Sequence, residues 1–198
     1  MLKIGIFGGC FNPPHKMHEN IAKELIEKNE LDKIVFVPTG NSYNKKGLVD
    51  IQKRVDMLNL IFEENQNILV SDISSNENYT YTYQVLDYFK SQNINCEIYF
   101  ICGTDNLKEF KTWRRFEYIL QNYNLMVVAR DRDDIDEILI SEFNEYKDKI
   151  HIVDMGFNPV SSTIVRNYIK QDRYDELDSL MDIRVLKYIT DRNMYKGS

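Results

Sequence analysis

Apolar residues along this chain cluster into short stretches, separated by longer ones in which they recur every three or four positions. The runs are Ile4–Phe7, Lys33–Pro38 (K-I-V-F-V-P), Ile68–Ile73, Glu97–Cys102 (E-I-Y-F-I-C), Leu125–Ala129 (L-M-V-V-A) and Ile150–Val153. Runs of this length without clean polar alternation predict strands buried on both faces. Between them, Ile21, Ala22, Leu25 and Ile26 mark one face of a helix that starts near His15 and His18 and ends at Asn29–Asp32. Val55, Leu58, Ile61 and Phe62 give a helix over Gln52–Phe62, and Val85, Leu86 and Phe89 give one after the tyrosine-rich segment Asn76–Tyr83. Phe116, Ile119 and Leu120 predict a helix beyond Trp113, and an acidic helix is expected around Asp133–Tyr146. Two helices close the chain, one starting near Ser161 and one covering Ile183 to Arg192.

Strands alternating with helices predict an α/β fold: a Rossmann-like, doubly wound parallel sheet with helices on both faces. The closing helices, over residues 161–192, form a small C-terminal helical part. No internal repeat, low-complexity tract or Pro/Gly/Ser linker interrupts the pattern, so one domain over residues 1–198 is expected. In an open sheet of this kind ligands sit at the carboxyl ends of the strands, near the point where strand order reverses. The predicted strand ends carry Gly8-Gly9, Pro38-Thr39-Gly40, Gly103-Thr104-Asp105 and Arg130, which gathers the unusual residues on one edge.

Composition narrows the classes without selecting one. Hydrophobic residues at 43% and charged residues at 28% are ordinary globular values. A net charge of -6, with no large lysine or arginine cluster, argues against nucleic acid while allowing a small phosphorylated ligand held by a few local cations. The apolar runs are far shorter than the roughly 20 residues of a membrane span. The opening goes directly into a strand and has no signal-peptide cleavage pattern, so a cytoplasmic protein with no membrane partner is expected. Three cysteines, Cys10, Cys96 and Cys102, form no C-x-x-C pair and read as reduced thiols.

The sharpest chemical signal is L-K-I-G-I-F-G-G-C-F-N-P-P-H-K-M-H over Leu2 to His18, a strand, a glycine turn and a helix start. Unpaired N–H groups and the positive end of the helix dipole suit an anion there, and glycine admits a phosphate close to the backbone. The turn is neither G-x-x-x-x-G-K-[ST] nor G-x-G-x-x-G, so a P-loop or a dinucleotide-binding dehydrogenase loses its main support. His15 and His18, three apart, share a helix face. Phosphate contact is the leading reading of the pair; zinc binding is the runner-up and lacks a third ligand. His151, inside an apolar strand, reads as structural.

Other residues keep two readings each. Ser161-Ser162-Thr163 with Arg166 is either an N-cap followed by a solvated arginine or a phosphate clamp. Lys45-Lys46-Gly47 is a solvated turn or a holder of leaving phosphates. Asp105 either caps the following helix or accepts from a ribose hydroxyl. Trp113, the only tryptophan, is core or stacks on a flat ring.

Together these pieces resemble the nucleotidylyltransferase superfamily named for its H-x-G-H signature, and within it the nicotinate or nicotinamide mononucleotide adenylyltransferases. The likeness runs over nearly the whole chain through six motifs in the family's order. They are G-G-C-F-N-P-P-H-K-M-H at Gly8 to His18, Y-N-K-K-G-L at Tyr43 to Leu48, Y-T-Y at Tyr81 to Tyr83, F-I-C-G-T-D-N-L at Phe100 to Leu107, Trp113, and S-S-T-I-V-R at Ser161 to Arg166.

The resemblance implies that ATP lies on the turn Gly8, Gly9, Cys10 and Phe11, with His15 and His18 on its phosphates. It places Ser161, Ser162, Thr163 and Arg166 around the polyphosphate, Lys46 at the phosphates, and Gly103 and Asp105 at the ribose. Tyr43, Lys45, Tyr81, Thr82, Trp113 and Arg130 are then expected on the pyridine nucleotide, and His15, His18, Lys46 and Arg166 form the catalytic set. The implied reaction joins nicotinate or nicotinamide mononucleotide to the AMP part of ATP in NAD biosynthesis, releasing pyrophosphate. Mg²⁺ is expected through the ATP phosphates and no protein metal site is assigned. Another phosphorylated acceptor, or a nucleotide-binding regulatory domain without turnover, are the alternatives, and a homo-oligomer stays open.

The chain also departs from the pattern. Met17 replaces the signature glycine, as in eukaryote-like members, and Asn12 stands where bacterial members often have aspartate. The Lys45-Lys46-Gly47 loop resembles the eukaryotic enzymes, whereas the length and Tyr81-Thr82-Tyr83 resemble the bacterial ones. Gln84 and Val85 stand where an aspartate or glutamine and a threonine are usual. The choice between nicotinate and nicotinamide is therefore open in the sequence.

Overall fold

A computed structural model describes residues 1–43, 46–129, 135–156 and 160–196. Six parallel strands form one sheet: β1 (Leu2–Gly9), β2 (Lys33–Pro38), β3 (Ile68–Val70), β4 (Cys96–Gly103), β5 (Asn124–Ala129) and β6 (Ile150–Asp154), in the order β3-β2-β1-β4-β5-β6. The apolar runs thus become strands, and the sheet is the expected doubly wound one. Strand order reverses between β1 and β4, where Phe7 pairs with Ile101 and the glycines of β1 reach the end of the sheet.

The pleat sends alternate side chains to opposite faces, and both faces are buried. One face gathers Ile4, Ile6, Ile98, Phe100, Leu125 and Val127, packed against Val85 and Leu86 of α3 (Thr82–Gln92) and Ile119 and Leu120 of α5 (Phe116–Asn122). The other face gathers Phe7, Ile34, Phe36, Ile101, Met126 and Val128. It is covered by Met17, Ile21 and Leu25 of α1 (Lys16–Glu27) and by Leu58 and Phe62 of α2 (Ile51–Phe62). Each such side chain, removed from water, contributes roughly 1.5–3 kcal/mol before entropy is counted.

Further elements depart from the sequence reading in instructive ways. Strand β3 stops at Val70 rather than Ile73, because the Ser71 Oγ accepts from the Ile73 N–H at 3.3 Å and the chain turns into a 3₁₀ segment at Ile73–Ser75. The acidic helix is α6 (Ile135–Glu142), followed by a 3₁₀ stretch at Asn144–Lys149; Asp133 lies outside the described residues. A short helix, α4 (Thr104–Glu109), starts directly at the end of β4.

The closing helices α7 (Ser162–Lys170) and α8 (Ile183–Asp191) pack through Val165, Ile169, Val185 and Ile189 onto Met57 of α2. That docking carries the far end of the chain back to the turn after β1. Among the described residues, no helix is long and apolar enough to cross a membrane.

Candidate functional site

The carboxyl ends of β1 and β4 open into a cleft of about 300 Å³ at the point where strand order reverses. Phe7, Gly8, Gly9, Phe11, His18 and Ile21 form one wall; Cys102, Gly103, Thr104, Asp105, Asn106, Lys108 and Val128 form the other. The expected Gly8, Gly9, Phe11, His18, Gly103 and Asp105 are therefore brought together. The glycines differ in why they are glycine. A Cβ on Gly8 would stand 2.8 Å from the Phe100 ring, so that ring would have to shift, and one on Gly9 would stand 3.0 Å from the Phe11 ring, a tight contact that the ring would have to ease. Among the described residues, a Cβ on Gly103 would meet no atom within 4 Å, so their packing does not explain that glycine.

His15 is the N-cap of α1 and is 3% exposed, whereas His18 is half-buried on the cleft wall. The His15 backbone N–H donates to His18 Nδ1 at 3.2 Å, and the two rings stack with centroids 3.8 Å apart. Phe11 and Phe7 set their ring edges against His18 at 4.9 and 6.0 Å. An Nδ1 that accepts places the proton of a neutral imidazole on Nε2, making that nitrogen a donor. Met17 points away from this chemistry: it is 2% exposed and packs in the core beneath the sheet, so it does not crowd the cleft. Glu19 is buried one turn further on, bonded to Lys16 at 2.9 Å and Lys23 at 2.7 Å. Burial raises its carboxyl, but the two lysines outweigh that and hold it below its ordinary value.

The C-terminal constellation comes to the turn rather than to the cleft wall. Ser161 caps α7 by accepting from the Ile164 N–H at 3.3 Å, and the Ser162 hydroxyl donates to the Pro13 carbonyl at 2.8 Å. Arg166 donates to the Asn12 carbonyl at 2.7 Å and to Thr163 Oγ1 at 3.1 Å. These bonds hold Ser161 to Arg166 against the Asn12-Pro13 segment that leads into His15.

Lys46 and Tyr43 are exposed on the loop after β2, outside the cleft lining. Lys45 and Arg130 lie outside the described residues, as does Asn158-Pro159. Trp113 is half-buried, its ring 5.6 Å from that of Phe100 and 5.0 Å from that of Phe110. Since Phe100 is the ring against Gly8, Trp113 stands one ring away from the glycine turn, on the sheet face opposite α1. Tyr81 caps α3, whose first residue is Thr82; its N–H donates to Gln84 Oε1 at 2.9 Å, and the Arg114 guanidinium lies 4.6 Å over its ring.

Two residues outside the expected site set hold this edge together. Arg54 is fully buried and donates to the carbonyls of Val49 (2.8 Å), Cys10 (3.0 Å) and Thr39 (2.6 Å), joining the loops after β1 and β2. Its signal was its position four residues before Leu58, on the apolar face of α2, where a charge is out of place unless it has partners. Asn12, 3% exposed, uses its side chain on the Lys46 loop: Nδ2 donates to the Gly47 carbonyl at 2.8 Å and Oδ1 accepts from the Val49 N–H at 3.2 Å. An aspartate would set a carboxylate oxygen against that carbonyl, which explains the amide. Asn106 and Lys108 of the short α4 were also missed, because six residues are too few to show a period.

None of the three cysteines is in a disulfide; burial pushes the Cys102 thiol up to about 12, which removes it as a nucleophile. Among the described residues, no three His, Cys, Asp or Glu side chains group as a metal site. The edge therefore offers backbone N–H groups, an imidazole donor and nearby cations, a set suited to binding phosphates.

Comparison with known proteins agrees with that chemistry. The family model described as cytidylyltransferase-like matches residues 6–168. A Flavobacterium johnsoniae protein named probable nicotinate-nucleotide adenylyltransferase is 34% identical over 198 residues, covering 98% of this chain and all of that one. A Caldicellulosiruptor bescii protein of the same name is 32% identical over 199 residues, with 98% and 100% coverage. The fold matches that of Plasmodium falciparum nicotinic acid mononucleotide adenylyltransferase complexed with NaAD at a TM-score of 0.83, with 21% identity over 100% of this chain and 99% of that one.

Proposed function

The chain belongs to the cytidylyltransferase-like family, and on that premise we propose that it transfers the AMP part of ATP to nicotinate mononucleotide, making the dinucleotide and pyrophosphate. The acceptor's 5′-phosphate oxygen attacks the α-phosphorus, a new P–O bond forms, and the bond to the bridging oxygen of the β-phosphate breaks. The observation that carries this reading is His18: it stands on the wall of the cleft beside Gly8-Gly9, with Nδ1 tied to the His15 N–H.

ATP is placed with its phosphates along Gly8 to Phe11. His18 Nε2–H donates to the α-phosphate oxygens as charge builds on them, and His15 holds the ring at its angle. A donor already fixed at the site of developing charge needs no reorganisation during the reaction. Arg166, with Ser161, Ser162 and Thr163 at the start of α7, faces the polyphosphate, and Lys46 neutralises the departing pyrophosphate. Gly103 and Asp105 take the ribose. Tyr43, Lys45, Tyr81, Thr82, Trp113 and Arg130 take the pyridine nucleotide, whose ring meets Trp113 and whose carboxylate favours the N–H groups that open α3.

Holding the two phosphates in line supplies much of the rate, because the attack then becomes effectively unimolecular. Mg²⁺ enters as part of the substrate, MgATP, since such an ion keeps its waters and prefers substrate phosphates to an all-protein cage. Incubation with MgATP labelled at the α-phosphorus and a panel of phosphorylated acceptors tests the reading. Label is expected in a dinucleotide only with a pyridine mononucleotide. Label transferred only to phosphopantetheine or a phosphorylated alcohol, or nucleotide binding without pyrophosphate release, overturns it.

A further inference from the structure

The last residues of the described chain return to the catalytic edge. After α8 the backbone reverses through Asn193 and Tyr195, both in the left-handed region at φ 49° and 65°. Asparagine tolerates that conformation, whereas a bulky residue such as tyrosine rarely holds it unless its surroundings impose it. Met194 between them is 6% exposed and packs into the cluster of α7, α8 and Met57, which anchors the reversal. The Tyr195 ring lies partly buried against the same cluster, and its hydroxyl donates to Asn12 Oδ1 at 2.9 Å.

That acceptor is already in use. Asn12 Oδ1 takes the Val49 N–H at 3.2 Å while Nδ2 donates to the Gly47 carbonyl at 2.8 Å, so the one amide grips the Lys46 loop on both sides of Leu48. The amide has one favourable orientation, since rotating it by half a turn would set Nδ2 against the Val49 N–H and Oδ1 against the Gly47 carbonyl. With the amide so oriented, the Tyr195 hydroxyl adds a third bond that holds Asn12 in place, and Asn12 in turn holds the loop.

We propose that Tyr195 is a positioning residue: through Asn12 it locks the Lys46 loop to the nucleotide turn, so that the C-terminal segment completes the phosphate site. The inference rests on the functional reading above for its kinetic part, while its structural part stands apart from it. Tyr195 touches no reacting atom, and its action on the rate runs through Lys46. Removing the hydroxyl leaves Oδ1, among the described residues, with the Val49 donor alone.

Tyr195→Phe keeps the ring and deletes the hydroxyl. In the full-length protein, hydrogen exchange at the Val49 amide is expected to rise about tenfold, with β1 amides unchanged; equal exchange in the two proteins overturns the lock. With MgATP and nicotinate mononucleotide, kcat is expected to fall roughly five- to tenfold, the scale of one lost hydrogen bond, with KM for the mononucleotide within about twofold. In a Lys46→Ala background the same change should have less than about a twofold effect, because the group being positioned is gone. A full and equal loss in both backgrounds, or an unchanged kcat in the first, overturns the route through Lys46. If the unmodified protein makes no dinucleotide, the functional reading fails, and the exchange comparison still decides the lock.

Discussion

Replacing Gly103 by alanine separates a cleft that is reserved for a ligand from one that is merely left over by packing. The backbone at Gly103 is extended, with φ −86° and ψ 169°, so alanine fits without strain, and beyond its chain neighbours the new methyl meets no atom of the described residues within 4 Å. A glycine replaced under those conditions stabilises a protein by about 0.4–1 kcal/mol, because the unfolded chain loses freedom. For 198 residues this raises Tm by about 1–4 °C. The methyl nevertheless lies on the cleft wall at the end of β4. If ATP fills that space, the crowding costs about 1–3 kcal/mol of binding, which multiplies KM for ATP by about 5- to 150-fold. Gly8→Ala is the control with the opposite sign on stability: its methyl would be 2.8 Å from Phe100, and Tm should fall. Thermal melts and initial rates against ATP concentration read both quantities. A Gly103→Ala protein that is as stable as expected but binds ATP normally would refute the placement of the nucleotide, and one that melts early would refute the packing argument.

His18→Ala should lower kcat by at least about 10²-fold, the scale of one lost donor to a developing oxyanion; steady-state rates check it, and near-normal turnover removes His18 from the chemistry. Arg54→Met strands the carbonyls of Cys10, Thr39 and Val49, so urea unfolding should show a loss of at least about 3 kcal/mol; a loss under about 1 would mean that these groups find other partners. Glu19→Gln removes a buried carboxylate held below its ordinary value, so its contribution is complete above the usual carboxylate range and fades as pH falls through the depressed folded value. The melting difference between wild type and Glu19→Gln should therefore be present at neutral pH and close in strongly acidic buffer; a difference independent of pH would show that its origin is not the charge.

The sheet was legible because its strands are buried on both faces and show as short, densely apolar runs. So was the turn from Gly8 to His18, whose glycines, prolines and histidines each limit the backbone in a distinct way. What escaped the sequence depends on contacts between distant segments. Arg54 looks like an ordinary helix residue until the loops after β1 and β2 converge on it, and Asn12 looks like part of a turn until Gly47, Val49 and Tyr195 meet its amide. The end of β3 at Val70 coincides with Ser71-Asp72, which interrupt the apolar residues, and the Ser71 side chain turns the backbone away before Ile73. Met17 stood out as a departure from the family signature, and its burial in the core follows from the helix face it occupies with Ile21 and Leu25.

The pyridine side of the site is where the proposed reaction is tested most directly. Nicotinate and nicotinamide mononucleotides should be compared side by side at fixed MgATP, following dinucleotide and pyrophosphate together. Stoichiometric formation of both products is expected, with kcat/KM at least about tenfold higher for the nicotinate form, the difference of one charge-assisted hydrogen bond to its carboxylate. Equal rates or a preference for nicotinamide would contradict the assigned acceptor, and the absence of pyrophosphate with either would contradict the reaction itself.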